Sequence, residues 1–246
     1  MPKSQIIKDI VEGHVSLEQS LNRLYILAND VNNQQLAEWA QKELNGYNTS
    51  DALPDYRCAK SFHFKYSGIN GGFQVTKIPL PLEFLETDTL EKQSKVIIYD
   101  GIRYVEELSN SNNMPVRNMS FLAGEIAEKT DNMVSCISIY QEIPQSIPQG
   151  ICAAVKNKML IALLELEKRY GNLDSLGIDI SERNNVQIEA DNEALNRSVF
   201  NISLPSTLSE KSQPWYSKIA WNIVFPIITA IIGAVVAAII IKRFNL

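Results

Sequence analysis

The cations Lys156, Lys158, Arg103 and Arg117 are the residues whose charge could meet a phosphorylated ligand, and they are the candidate ligand-binding set. The competing reading is that they are ordinary solvated positions on helix faces. Cys58, Cys136 and Cys152 are widely separated, and His14 and His63 are the only histidines, so neither a CxxC pair nor a Cys/His metal spacing occurs. Gly68, Gly71 and Gly72 do not form a GxGxxG phosphate loop and read as turn glycines. Asp and Glu are plentiful, but no nucleophile–base or paired acid–base arrangement can be recognised. No catalytic residue, metal ligand or cofactor is therefore assigned. Trp39 reads as a core residue rather than a stacking platform.

The charge balance restricts the partners. Lys and Arg number 23 against 28 Asp and Glu. Setting aside Lys218, Lys242 and Arg243 leaves 20 basic residues, so the part before the C-terminal apolar run carries −8. Sequence-independent grip on DNA or RNA needs the opposite sign, and no stable sequence-specific DNA binding is expected. The first twelve residues lack an apolar h-region, so no signal peptide is expected and the cysteines read as free thiols in a reducing compartment.

Residues 219–241 carry no charge. At about 1.5 Å per residue this run covers roughly 35 Å, enough to cross a hydrocarbon core of about 30 Å. Trp215, Tyr216 and Trp221 mark one interface, and Lys242 and Arg243 close the other end. The expectation is one membrane-spanning helix in contact with lipid, its N-terminal domain on the cytoplasmic side. The two terminal cations mildly favour the opposite orientation. At about 100° per residue, Ala230, Gly233, Ala234, Ala237 and Ala238 share one face. Small-xxx-small spacing lets helix backbones approach closely, so a homo-oligomer is expected. Pro226 removes the donor for the carbonyl of Asn222 and predicts a kink.

Upstream, the pattern predicts an α+β fold: a mainly helical soluble domain with short antiparallel strands, over residues 1–175. Ile6, Ile7, Ile10 and Val11 form a helical face. Ser16-Leu-Glu-Gln19 has the form of a capping box ahead of Leu17, Leu21, Leu24, Ala28 and Val31. A second helix carries Leu36, Trp39, Ala40 and Leu44 and stops at Gly46, giving an antiparallel helical hairpin. Phe62, Phe64 and Tyr66, a turn at Asn70-Gly-Gly72, then Phe73 and Val75 read as a β-hairpin. Thr87 or Asp88 is expected to cap a short helix. Residues 97–99 read as a strand or helix start, and Tyr104, Val105 and Leu108 as a helix. Pro115 and Asn118 mark a loop, and Ile137, Ile139 and Tyr140 another strand. A long helix is expected over 147–170, with Gly171 as its stop. Residues 176–214 read as a polar linker, with short strands near Val186-Gln-Ile188 and from Val199 onward. Residues 215–246 form the membrane segment with its flanks.

Several strings together resemble the AbiTii domain. They are Ser16-Leu-Glu-Gln-Ser-Leu-Asn-Arg-Leu24, Leu36-Ala-Glu-Trp39, Lys42-Glu-Leu-Asn-Gly-Tyr47 and Leu53-Pro-Asp-Tyr-Arg57. A closing helix with Val155-Lys-Asn-Lys-Met-Leu160 completes the pattern, although Lys156 and Lys158 stand where Arg is more usual. The resemblance implies a bacterial protein of abortive infection and anti-phage defence, placed at the inner membrane. The arrangement is similar to transmembrane effectors of nucleotidyltransferase-linked systems of the Hailong type. It implies a nucleotide or oligonucleotide, made by a partner enzyme, as the signal for the soluble domain, and a pore or ion channel as the output. It supplies no catalytic residues. Two alternatives remain open at this level: a membrane-tethered enzyme such as a nuclease, and a ligand-independent scaffold.

Overall fold

The computed structural model describes residues 3–175 and 177–200. The membrane-span readings at 215–246, with Trp215, Tyr216, Trp221, Lys242, Arg243 and the small-residue face from Ala230 to Ala238, lie outside the described residues.

The chain opens with α1 (Gln5–Glu12), which buries Ile6, Ile7 and Ile10. The predicted capping box then starts α2 (Leu17–Asp30). The Ser16 hydroxyl accepts from the Gln19 N–H at 3.1 Å, and the Gln19 side chain accepts from the Ser16 N–H at 3.4 Å. After a turn, the Asn33 side chain accepts from the Leu36 N–H at 3.0 Å and starts α3 (Gln34–Asn45). These caps satisfy donors that a helix start otherwise leaves to water. The two helices pack together as the expected hairpin.

A 3-10 turn at Asp55–Arg57 leads into β1 (Cys58–Lys60), β2 (Phe64–Asn70) and β3 (Phe73–Pro79). Then follow α4 (Thr87–Gln93), β4 (Lys95–Ile97), α5 (Ile102–Asn110), β5 (Val116–Asn118), α6 (Ala123–Lys129), β6 (Val134–Glu142), α7 (Ser146–Tyr170) and α8 (Asn185–Phe200). β1 pairs with β4, and the second sheet runs β3-β2-β6-β5, all antiparallel. One apolar core lies beneath the larger sheet, where Phe64, Tyr66, Ile126 and Ile139 meet. The other joins α1, α2, α3, α5, α7 and α8. Its axis is α7, which buries Ile151, Val155, Met159, Ala162, Leu163 and Leu166. Among the described residues α7 is the one helix long and apolar enough to cross a membrane, with half of its apolar window buried inside the fold. The packing of α1, α2, α5 and α8 against it accounts for that apolar content as core.

Three expectations need correction, and one helix is new. The stretch around Pro115 and Asn118 contains an edge strand, β5, that pairs with β6. Helix α6 had no counterpart in the sequence reading. α4 starts after Glu86, and neither Thr87 nor Asp88 acts as its cap. Residues 185–200 form α8 rather than linker and strands. The alternation of Val186 and Ile188 is only three residues long, too short to separate period 2 from period 3.6. Over the whole segment Ile188, Leu195 and Val199 are buried at helical spacing, while Val186 stays exposed.

Polar contacts tie both ends of the helical body to α7. Glu167 accepts from Lys3 Nζ at 2.6 Å, the Ser4 N–H at 2.6 Å and the Ser4 hydroxyl at 2.7 Å. Asp191 on α8 bridges Arg169 at 2.8 Å and Arg183 at 2.7 Å. Arg183 also lies 4.4 Å from the Tyr170 ring centre and donates to the Arg169 carbonyl at 2.6 Å.

Two predictions follow from these ties. Burial opposes the charge on Glu167, but the Lys3 and Ser4 donors outweigh it and hold the carboxyl down at about 2, from an ordinary 4.5. A depressed acid stabilises the fold fully above its unfolded pKa, and that contribution is lost as pH falls from 4.5 toward about 2. Hydrogen exchange of α1 should rise across that window, and Glu167→Gln should remove the pH-dependent part. Asp191→Ala should remove the carboxylate that Arg169 and Arg183 share and speed tryptic cleavage at Arg183 by about tenfold, as expected for a lost charged hydrogen bond.

Candidate coupling site beneath helix α8

Glu43 occupies an unusual place on α3. Leu36, Trp39, Ala40 and Glu43 fall on one buried stripe, so the helix carries a carboxylate into its own apolar face. The 3-10 turn at Asp55–Arg57 delivers the answering charge. Arg57 Nη2 donates to Glu43 Oε2 at 2.5 Å, and neither side chain has any exposure. The tyrosines Tyr47 and Tyr56 both donate to Glu43 Oε1, each at 2.6 Å. Trp39 Nε1–H donates to the Tyr56 hydroxyl at 3.0 Å. The remaining reach of Arg57 goes to backbone, with Nη1 donating to the carbonyls of Ile98 at 3.2 Å and Asp100 at 2.6 Å. Its guanidinium also sits 5.1 Å from the Tyr47 ring centre.

Burial, followed by the negative charge of Glu43, pushes the Tyr47 and Tyr56 phenols well above their ordinary range. Both therefore remain protonated donors at any physiological pH. A carboxylate held by three donors inside the protein is a structural fixture, since no water or substrate can reach it.

The motif glycine permits a close backbone approach. Gly46 sits at φ 90°, and a Cβ there would lie 2.7 Å from the Tyr99 carbonyl oxygen. Across the same gap a Cβ on Gly101 would lie 2.3 Å from the Leu44 carbonyl oxygen. The Tyr47 N–H bonds the Tyr99 carbonyl at 2.7 Å, so the end of α3 and the 98–101 loop are backed directly against each other.

The end of α8 rests on this cluster. Trp39 meets Phe200 edge to face, with ring centres 6.1 Å apart at 74°. Lys158, from α7, donates to the Val199 carbonyl at 2.7 Å and stands 5.5 Å from the Phe200 ring centre. A charged donor to a backbone carbonyl is a strong hydrogen bond, and it fixes this part of α8 against α7. Burial lowers the Lys158 pKa, with Glu43 pulling the other way. A path of contacts thus runs from Arg57 through Glu43, Tyr56 and Trp39 to the last described residue.

The four candidate ligand-binding cations stand in different surroundings. Lys158 is buried and donates to the Val199 carbonyl of α8. Lys156 lies half-buried two positions earlier, about 200° around the helix, so the two cannot point together. Arg103 is exposed on α5 and pairs with Glu107 at 3.4 Å. Arg117 on β5 donates to the carbonyls of Gln93 and Lys95. Trp39 is a buried core residue with a polar handle, as its apolar setting suggested. Burial pushes the Cys136 and Cys152 thiols up, away from thiolate reactivity. No group of three or more His, Cys, Asp or Glu is placed to hold a metal ion among the described residues.

Glu43, Tyr47, Tyr56 and Arg57 lie inside the family strings, but their types and spacing in the sequence point to no role. The available signal was Glu43 itself, a charge at the buried position of a helical stripe. Its partner Arg57, fourteen residues downstream, carries no such mark.

A family model described as AbiTii matches residues 4–191, from the start of α1 into α8. No curated protein and no solved structure matches the chain.

Glu43→Ala should cost about 3–5 kcal/mol of unfolding free energy, because it leaves the Arg57 charge buried without its partner. Glu43→Leu combined with Arg57→Met should cost less than either single change, a comparison that denaturant unfolding reads directly.

Proposed function

The chain belongs to the AbiTii family, and from that premise we propose that it is an abortive-infection effector that acts at a membrane. In this reading residues 219–241 anchor the protein in the bacterial inner membrane, with the described domain in the cytoplasm. Copies associate through the face bearing Ala230, Gly233, Ala234, Ala237 and Ala238. Assembly opens or gates a pore or ion channel, and no substrate is turned over. The signal is a nucleotide or oligonucleotide supplied by a partner enzyme and sensed by the soluble domain.

One observation supports coupling between domain and membrane segment. The family strings around Trp39, Glu43, Tyr56 and Arg57 converge on the seat of Val199 and Phe200. From there the chain continues toward the apolar run. A signal that changes the packing of α3, α7 or the 98–101 loop would change how firmly that seat holds the end of α8. The effect is a two-state bias: a ligand shifts the assembly only by its difference in affinity for the two states.

Membrane potential in bacteria expressing the full chain tests this reading. Depolarisation is expected with the natural chain and not with Gly233→Leu combined with Ala237→Leu. Lys158→Met keeps the volume of the side chain while removing its bond to Val199, and should change the depolarisation at equal protein level. Depolarisation equal in all three chains would overturn both the assembly face and the coupling seat.

A further inference from the structure

The hairpin of α2 and α3 leaves a groove along its length. Two hollows of about 220 Å³ and 480 Å³ follow one another there and share Tyr25 and Gln41 as a common wall. Glu18 lines the smaller hollow and Glu38 the larger, and no Lys, Arg or His lines either. Glu38 accepts from the Gln34 amide at 2.9 Å, and neither carboxylate meets a cation among the described residues.

The amides of the groove add acceptors to these carboxylates. Asn22 spends an N–H on the Glu18 carbonyl at 3.0 Å, and Asn29 spends one on the Tyr25 carbonyl at 2.7 Å. The side-chain oxygens of Asn22, Asn29 and Gln34 remain free to accept. Between the two carboxylates lie the Tyr25 ring, Leu44 and Ala37. Acceptors and negative charge toward both ends, with apolar surface in the middle, complement a chain of methylenes that carries ammonium groups.

We propose that this groove binds a linear polyamine of the triamine class, its outer ammonium groups on Glu18 and Glu38 and its methylenes over Tyr25.

Length selects that class. Tyr25 and Gln41 face each other across the groove. Glu18 lies seven residues from Tyr25 toward one end, and Glu38 three residues from Gln41 toward the other. At about 1.5 Å of rise per residue the two carboxylates stand about 15 Å apart along the hairpin. Spermidine, with nine bonds between its outer nitrogens, extends to about 11 Å, and a charged hydrogen bond of about 2.8 Å at each end carries its reach to about 17 Å. A diamine with five such bonds falls short, and one divalent ion cannot touch both groups. The inner ammonium of a triamine passes over the Tyr25 ring, where the negative face of the aromatic system attracts it. A phosphate would meet two carboxylates and no cation here, so the groove is independent of the nucleotide signal proposed above. Once occupied, it ties α2 to α3, the helix that carries Trp39 and Glu43.

Calorimetric titration of the full chain in a neutral detergent at fixed ionic strength tests the assignment, with spermidine as the probe. One saturable site is expected. Glu18→Gln and Glu38→Gln should each weaken it about tenfold, as for the loss of one charged hydrogen bond, and 1,4-diaminobutane should bind about tenfold more weakly than spermidine. Both glutamates lie outside the buried core and Gln keeps their shape, so the fold survives the change. Glu128→Gln, at an exposed carboxylate on α6, should leave the affinity unchanged. Absence of saturable binding, equal binding of Mg²⁺ at the same ionic strength, or an affinity that neither groove variant alters would overturn the site.

Discussion

Glu43 and Arg57 bring opposite charges to a place where neither side chain touches water. Each ion forfeits hydration worth several kcal/mol, and their mutual attraction alone does not reliably offset that loss. The structure answers with hydrogen bonds. Both tyrosines and Arg57 converge on the carboxylate, and Arg57 spends its remaining reach on two carbonyls. The consequence is geometric. Every partner must occupy one arrangement, so α3, the 3-10 turn, the 98–101 loop and the phenols are fixed relative to one another. An apolar substitute could hold these elements as tightly but would not specify their register.

The fold distributes its stability unevenly around that point. The helical core is continuous through α7, whose apolar residues are covered by α1, α2, α5 and α8. By contrast α8 buries few apolar side chains, mainly Ile188, Leu195 and Val199, and relies on Asp191, Lys158 and Asn192 for the rest. Few apolar contacts and many polar ones are the mark of an element that can detach before the body unfolds. Under the function proposed above, that balance suits a helix between the part that senses and the part that acts. It gives the coupling proposed above a physical form: a rigid seat and a lightly held occupant.

The sheet makes the complementary point. Its core face is filled by Phe64, Tyr66, Ile126 and Ile139, while the opposite face carries hydroxyls, lysines and isolated apolar groups. Alternation along a strand guarantees two different faces but says nothing of what meets the second one. Here the bulge in β6 leaves Ile137 standing out on the exposed side.

The helices α1, α2, α3, α5 and α7 and the hairpin β2–β3 were legible because each repeats its signal over several turns or pleats, or closes it with a local cap such as Ser16-to-Gln19. Family membership was legible in the strings from Ser16 to Arg57 for the same reason, since they are local. The tertiary structure decided what local patterns leave open. It turned Val186-to-Phe200 into a helix, because burial of residues 188, 195 and 199 outweighed a three-residue alternation. It gave Lys158 the Val199 carbonyl as a partner, because a cation's partner is set by packing and not by its neighbours in sequence. It joined Glu43 to Arg57, because a buried charge announces that it needs a partner but never which one.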